Sequence, residues 1–232
     1  MKLKIIIASA VVVIGAAAIT NISIFEEAKA QATEKKVSKK DPMEGWSKAS
    51  IMAADMMKKK YGEPNEKTAT MMAWNNTGQW KRTVIYAKEF KHDFPMPHTD
   101  VMEQWIDYMV PPEKFTDLGM YDGSVTFSRT NGEISARCDR EGANFLAINL
   151  ANDIITGKKD VKTARDFYAT SIKESINGGK PDYMQKLQFS VANGNTVDND
   201  SPSSIITKED MMKAKKMMEM MEKEMSDKMG NK

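Results

Sequence analysis

The chain is poor in the side chains that most enzymes depend on. Among 232 residues there is one cysteine, Cys138, and there are two histidines, His92 and His98. A single cysteine cannot close an internal disulfide, even in a compartment that permits one. The GxSxG, HExxH, P-loop and CxxC patterns are all missing, which removes the usual templates for hydrolases, zincins, nucleotide hydrolysis and dithiol exchange. No excess of either charge is present, with 34 basic against 32 acidic side chains. That balance argues against nucleic acid, which calls for a concentrated basic patch, and gives no electrostatic reason to sit on an anionic membrane.

Long apolar runs are absent except at the N-terminus. Lys2 and Lys4 precede an uncharged apolar stretch from Ile5 to Ile19, and small residues at Ala28, Ala30 and Ala32 follow. This order of basic, apolar and small residues predicts a secretory signal peptide over 1–30, cut near Ala30 or Ala32. The rival is an uncleaved anchor, but Thr20, Asn21 and Ser23 dilute the second half of the stretch, whereas a span needs about 20 predominantly apolar residues. Cleavage after Ala30 leaves 31 basic and 30 acidic side chains. The expectation is an exported protein, periplasmic or secreted, with no stable membrane insertion once the signal is removed.

What remains suits one domain with extensions. A polar leader covers 31–41. An α+β domain is expected over 42–192, a linker over 193–206 and a Met-rich helix over 207–232. Within the domain, Trp46, Ala49, Ala53 and Met57 recur at helical spacing, and Gly62 and Pro64 stop that helix. "TATMMAWN" and "WKRTVIYAKEF" read as a hairpin. "DVMEQWIDYM" reads as a helix, with Asp100 as N-cap and Glu103 completing a capping box. In "GSVTFSRTNGEISARCD", Asn131-Gly132 predicts a type I′ turn, which sets Phe127 opposite Ala136 and Val125 opposite Cys138. Cys138 then points inward as a small apolar filler.

"EGANFLAINLANDIITG" is apolar around most of its circumference, so it reads as the buried central helix. A second helix starts at Asp160, and "YMQKLQFSV" reads as a last strand. Two hairpins without βαβ alternation imply a largely antiparallel sheet of about five strands packed by helices. The first helix, ending in "KYGEP", and the hairpin after it resemble the small helix-plus-hairpin modules of exported bacterial proteins. The resemblance implies no residue roles.

Three groups of residues carry the functional expectations. "KHDFPMPHTD" holds both histidines, and His92 and His98 are candidate metal ligands together with Asp93 or Asp100. Pro95 and Pro97 keep the segment extended, and the simpler reading is a rigid connector. The second group is polar: Arg129, Glu133, Arg137, Asp139, Arg140 and Glu141 line a site or form an ion-pair fringe around the hairpin. A Cys138–His98 pair would point to a hydrolase-like enzyme of unknown chemistry.

The third group is the tail, which holds eight of the chain's twenty methionines. On a helix, Met211, Met218, Met221, Met225 and Met229 form one stripe, with Met217 and Met220 beside it. Glu219 before Lys223 and Glu224 before Lys228 form a solvated back. The stripe is expected to dock onto a protein partner, a second copy or the domain itself. The alternative is copper: thioethers favour Cu(I), and Met218, Met221 and Met225 are the candidate ligands. The expectation is therefore an exported, non-enzymatic binding or interaction protein, with periplasmic copper(I) handling as the alternative.

Overall fold

The computed structural model describes residues 43–191 and 194–230. The segments read as signal peptide and leader lie outside the described residues. The chain forms α1 (Lys48–Tyr61), β1 (Glu66–Lys67), β2 (Met71–Thr77), β3 (Trp80–His92) and β4 (His98–Asp107). After a 3-10 turn at Pro112–Lys114 come α2 (Phe115–Tyr121), β5 (Val125–Ser128), β6 (Glu133–Cys138), α3 (Glu141–Ile155) and α4 (Val161–Ile176). A second 3-10 turn at Asp182–Met184 precedes α5 (Lys208–Gly230). The six strands form one antiparallel sheet in the order β1-β2-β3-β4-β6-β5. This is an α+β architecture.

Local chemistry explains the helix ends. The Ser47 hydroxyl caps α1 by accepting from the Ser50 amide at 3.1 Å, and Gly62 ends the helix with φ +82°. Asp160 caps α4 by accepting from the Thr163 amide at 2.7 Å. α3 is the buried helix, with Leu146, Ile148 and Leu150 withdrawn from water. It packs on β4, β5 and β6, where Ile106, Ile134 and Val125 meet it in the principal apolar cluster. α1 lies against β3 and β4.

Three local expectations are corrected. The segment read as a helix from Asp100 is β4, the strand between β3 and β6. Val101, Met102 and Ile106 are all buried, so both faces of the strand are covered. A strand covered on both faces loses its alternation, and its apolar pairs imitate helical spacing. The edges offered by β3 and β6 outweigh a local capping signal.

The β5–β6 register is also displaced. Val125 pairs with Ala136 and Phe127 with Ile134, because the connection is a four-residue turn closed by the Gly132 amide donating to the Arg129 carbonyl at 3.1 Å. Gly132 has φ +62°, whereas Asn131 is not among the residues with positive φ. A displacement of two keeps every side chain on its face, so Cys138 is still buried.

The expected last strand is not a strand. Residues 183–188 are held instead by the buried Asn149 of α3. Its amide donates to the carbonyls of Tyr183 at 3.0 Å and Lys186 at 2.8 Å, and its oxygen accepts from the Gln188 amide at 2.7 Å. One side chain replaces a ladder. The sheet reaches six strands through β1 and β4.

Beyond the domain, part of the segment read as a linker is tied down. Thr196 is buried and donates to the Gly132 carbonyl at 2.7 Å. Arg129 grips Asp198 at 2.7 Å, which holds that carboxyl below its ordinary range. α5 starts with the reciprocal cap read from the sequence: the Thr207 hydroxyl accepts from the Asp210 amide, and the Asp210 carboxylate accepts from the Thr207 amide, each at 3.1 Å. Every residue of α5 through Met229 is exposed.

Candidate metal centre

β3 and β4 form a hairpin whose connection contains a cis Phe94-Pro95 bond, and in this ladder His92 is the register partner of His98. Side chains alternate along a strand, while cross-strand partners share a face. His92, His98 and Asp100 therefore project from the same side of the sheet. Cys138 joins them, because it pairs with Met102, which lies on that side of β4. Asp122, between α2 and β5, completes the group. Sequence separation conceals this meeting, and pairing creates it.

The two imidazole rings lie 4.9 Å apart between centroids. Each ring turns one nitrogen toward Asp100. His98 Nε2 is 3.1 Å from Asp100 Oδ1, and His92 Nδ1 is 3.4 Å from Asp100 Oδ2. The other nitrogen of each ring has its own neighbour. The Met96 carbonyl accepts from His98 Nδ1 at 2.8 Å, and His92 Nε2 faces Asp122 Oδ1 at 3.5 Å. Asp122 is in turn fixed by the amide and hydroxyl of Ser124, both at 2.8 Å. The ligand atoms of His92, His98 and Asp100 all lie within 4.8 Å of one another.

Polar satisfaction is poor here. Asp100 is 1% exposed, yet its Oδ1 has no hydrogen bond despite the nearness of His98 Nε2. His92 Nδ1 and Arg137 Nε are buried without hydrogen bonds as well. Arg137 Nε comes only to 3.8 Å of Asp100 Oδ2, and its guanidinium stacks over Phe90. Buried polar groups are ordinarily paired, and an isolated buried charge costs several kcal/mol. Asp100 Oδ1 and His92 Nδ1 are atoms that a cation between them would satisfy, whereas Arg137 Nε is a donor that it would not.

The electrostatics of the cluster follow from its contacts. The His98 pKa is pushed up to about 11, chiefly by the adjacent Asp100 carboxylate and then by the Cys138 thiol, against the opposing effect of burial. Burial pushes the Cys138 thiol up, and its contact with His98 opposes that shift.

Other expected site residues fall elsewhere. Asp93 is exposed. The polar group around the hairpin disperses into separate ion pairs: Glu133 with Lys81 and Arg82, Arg129 with Asp198 and Asp200, Arg140 with Asp139. Glu141 accepts from Lys60, Tyr61 and Trp80, tying α1 and β3 to the start of α3. Met211, Met218, Met221, Met225 and Met229 are between 51% and 76% exposed on α5, which leaves the stripe uncovered by the domain. Asp122 carried no sequence signal beyond lying in a turn-forming "DGS" run.

No family model, curated protein or solved structure matches the chain. Among the described residues, no helix is long and apolar enough to cross a membrane.

Proposed function

We propose that this is an exported binding protein for a transition-metal ion, held by His92, His98 and Asp100. One observation carries the reading: two imidazoles turn a nitrogen each toward one buried carboxylate, while a carbonyl and a second carboxylate face their remaining nitrogens. Metal-bound histidines are usually oriented in this way, by an acceptor on the nitrogen that does not bind metal. Around a four-coordinate ion with bonds of about 2.0–2.3 Å, ligand atoms stand about 3.3–3.6 Å apart. The separations of 3.1 and 3.4 Å run to the two different oxygens of Asp100, and the three ligand atoms lie within 4.8 Å of one another, so the side chains draw in to share one ion. Export rests on the basic, apolar and small-residue order of 1–30.

The test is calorimetric titration of Zn(II) into chelator-treated full-length protein. One equivalent is expected to bind. His92→Ala or His98→Ala should remove most of the affinity, and Asp122→Asn should weaken it by about 10–100-fold, as loss of an orienting partner does. Binding that survives the double His92→Ala, His98→Ala change would overturn the reading.

α5 supports a second, separate role: pairing with the same helix of another copy. Its first part, 208–216, carries four lysines, Glu209 and Asp210, a net charge of +2. Its last part, 217–230, carries Glu219, Glu222, Glu224 and Asp227 against two lysines, a net charge of −2. Antiparallel pairing sets each half against its opposite. It also covers the stripe of Met211, Met218, Met221 and Met225, with Ala214 leaving room for a longer side chain. Copper(I) bound by Met218, Met221 and Met225 uses the same face, and it would depend on sulfur where pairing needs only an apolar side chain.

A further inference from the structure

Leucine and methionine divide the molecule between them. Among the described residues, Leu118, Leu146, Leu150 and Leu187 are all buried, at 4% exposure or less. Of the seventeen exposed large apolar side chains, thirteen are methionine. α5 carries eight of these, and apart from Ala214 it has no other apolar side chain. Leucine forms helix as readily as methionine, and its stiffer side chain specifies packing better. An apolar surface alone gives no reason to use methionine throughout. What methionine adds is a thioether sulfur.

The placement of the sulfurs narrows their use. Five of the eight form the stripe on α5, but Met212, Met217 and Met220 stand outside it and are 66%, 61% and 65% exposed. A docking face or a single three-sulfur ion site has no use for those three. Met52 and Met56 on α1, Met109 after β4 and Met120 on α2 are exposed as well. What the thirteen share is access to solvent, and the chemistry that requires only access is reaction with a small diffusing molecule. For a thioether that reaction is oxidation to the sulfoxide. The groups that oxidation would harm are withdrawn. Met57, Met72, Met102 and Met184 are at most 7% exposed, and Cys138, the one thiol, is buried.

We propose that the surface methionines, those of α5 foremost, are a trap for two-electron oxidants such as hypochlorous acid. Each sulfur gives up two electrons and gains the oxygen of one hypochlorous acid molecule, which leaves as chloride and a proton. A sulfoxide on α5 leaves the packing of the domain intact, because that helix is exposed through Met229. A sulfoxide in the core would disrupt it. Methionine sulfoxide reductases return the sulfoxide to thioether, so the trap is renewable. The inference depends neither on the metal centre nor on pairing of α5.

The experiment titrates hypochlorous acid into the full-length protein and into a full-length chain with all eight α5 methionines replaced by leucine. Peptide mass spectrometry maps the products, and urea unfolding follows the domain. In the wild-type chain, sulfoxide should fill the α5 positions before it appears at Met57, Met72, Met102 or Met184. The wild-type chain should absorb about eight more equivalents than the leucine chain before Cys138 is oxidised and the urea midpoint falls, one for each sulfur removed. Leucine keeps the helix apolar, so the comparison isolates the sulfur. Equal doses for the two chains would overturn the trap. So would oxidation of Cys138 or the core methionines while α5 is still reduced, a result read on the wild-type chain alone and independent of how the variant folds.

Discussion

His98 is the side chain on which most of the local electrostatics converge. It faces Asp100 and Cys138 through Nε2 and the Met96 carbonyl through Nδ1, with His92, Asp122 and Arg137 completing the charged surroundings. Its pKa of about 11 in the fold exceeds the ordinary 6.5. A group whose folded pKa is raised stabilises the fold fully below its unfolded pKa and loses that contribution as pH climbs through the folded value. Chelator-treated protein should therefore lose urea resistance between about pH 6.5 and pH 11, and His98→Asn should flatten much of that slope. Urea midpoints of the two proteins across the range check this. A wild-type midpoint that rises with pH would reverse the assignment.

The elements show how few side chains settle the architecture. Leu146 of α3 is fully buried against the sheet, and Leu146→Ala is expected to cost about 2–5 kcal/mol in urea unfolding. Asn149, one turn further along, acts differently. Its three hydrogen bonds hold 183–188 to the helix, so Asn149→Ala strips partners from backbone groups instead of opening a large apolar void. Hydrogen exchange at the Gln188 amide should accelerate in Asn149→Ala well beyond what the global loss of stability explains. Unchanged relative protection would show that the segment is held by the burial of Met184 and Leu187 instead.

α5 behaves as an appendage to the domain. Its residues are exposed through Met229, and a helix of this length is marginal alone in water. Full-length protein should sediment as a dimer at micromolar concentration, and a chain ending at Ser204 as a monomer with the same unfolding midpoint. Replacing Met218, Met221 and Met225 by leucine should preserve the dimer, because leucine keeps the apolar stripe. If association is lost with the sulfurs, the thioethers are acting as ligands and the pairing is wrong. The tether to α5 is fastened at its near end, where Thr196 and Asp198 bond to the β5–β6 turn.

Read alone, the sequence determines what depends on neighbours along the chain. The caps at Asp160 and Thr207, the stop at Gly62, the buried helix around Leu146 and the stripe on α5 are all set within a few residues, by hydrogen-bonding and periodic rules that need no partner. The α+β class follows from the same local signals. The character of β4 does not, because its apolar pairs at Val101-Met102 and Trp105-Ile106 satisfy a helix as well as a doubly covered strand. Only the edges of β3 and β6 decide between them. That decision also makes the site. With Asp100 spent as a helix cap, His92 and His98 belong to a stiff connector; with Asp100 in a strand, pairing places it beside both histidines and brings Cys138 across from a strand some forty residues away. Strand register is a long-range property, and the cluster of His92, His98 and Asp100 exists only because the register is what it is.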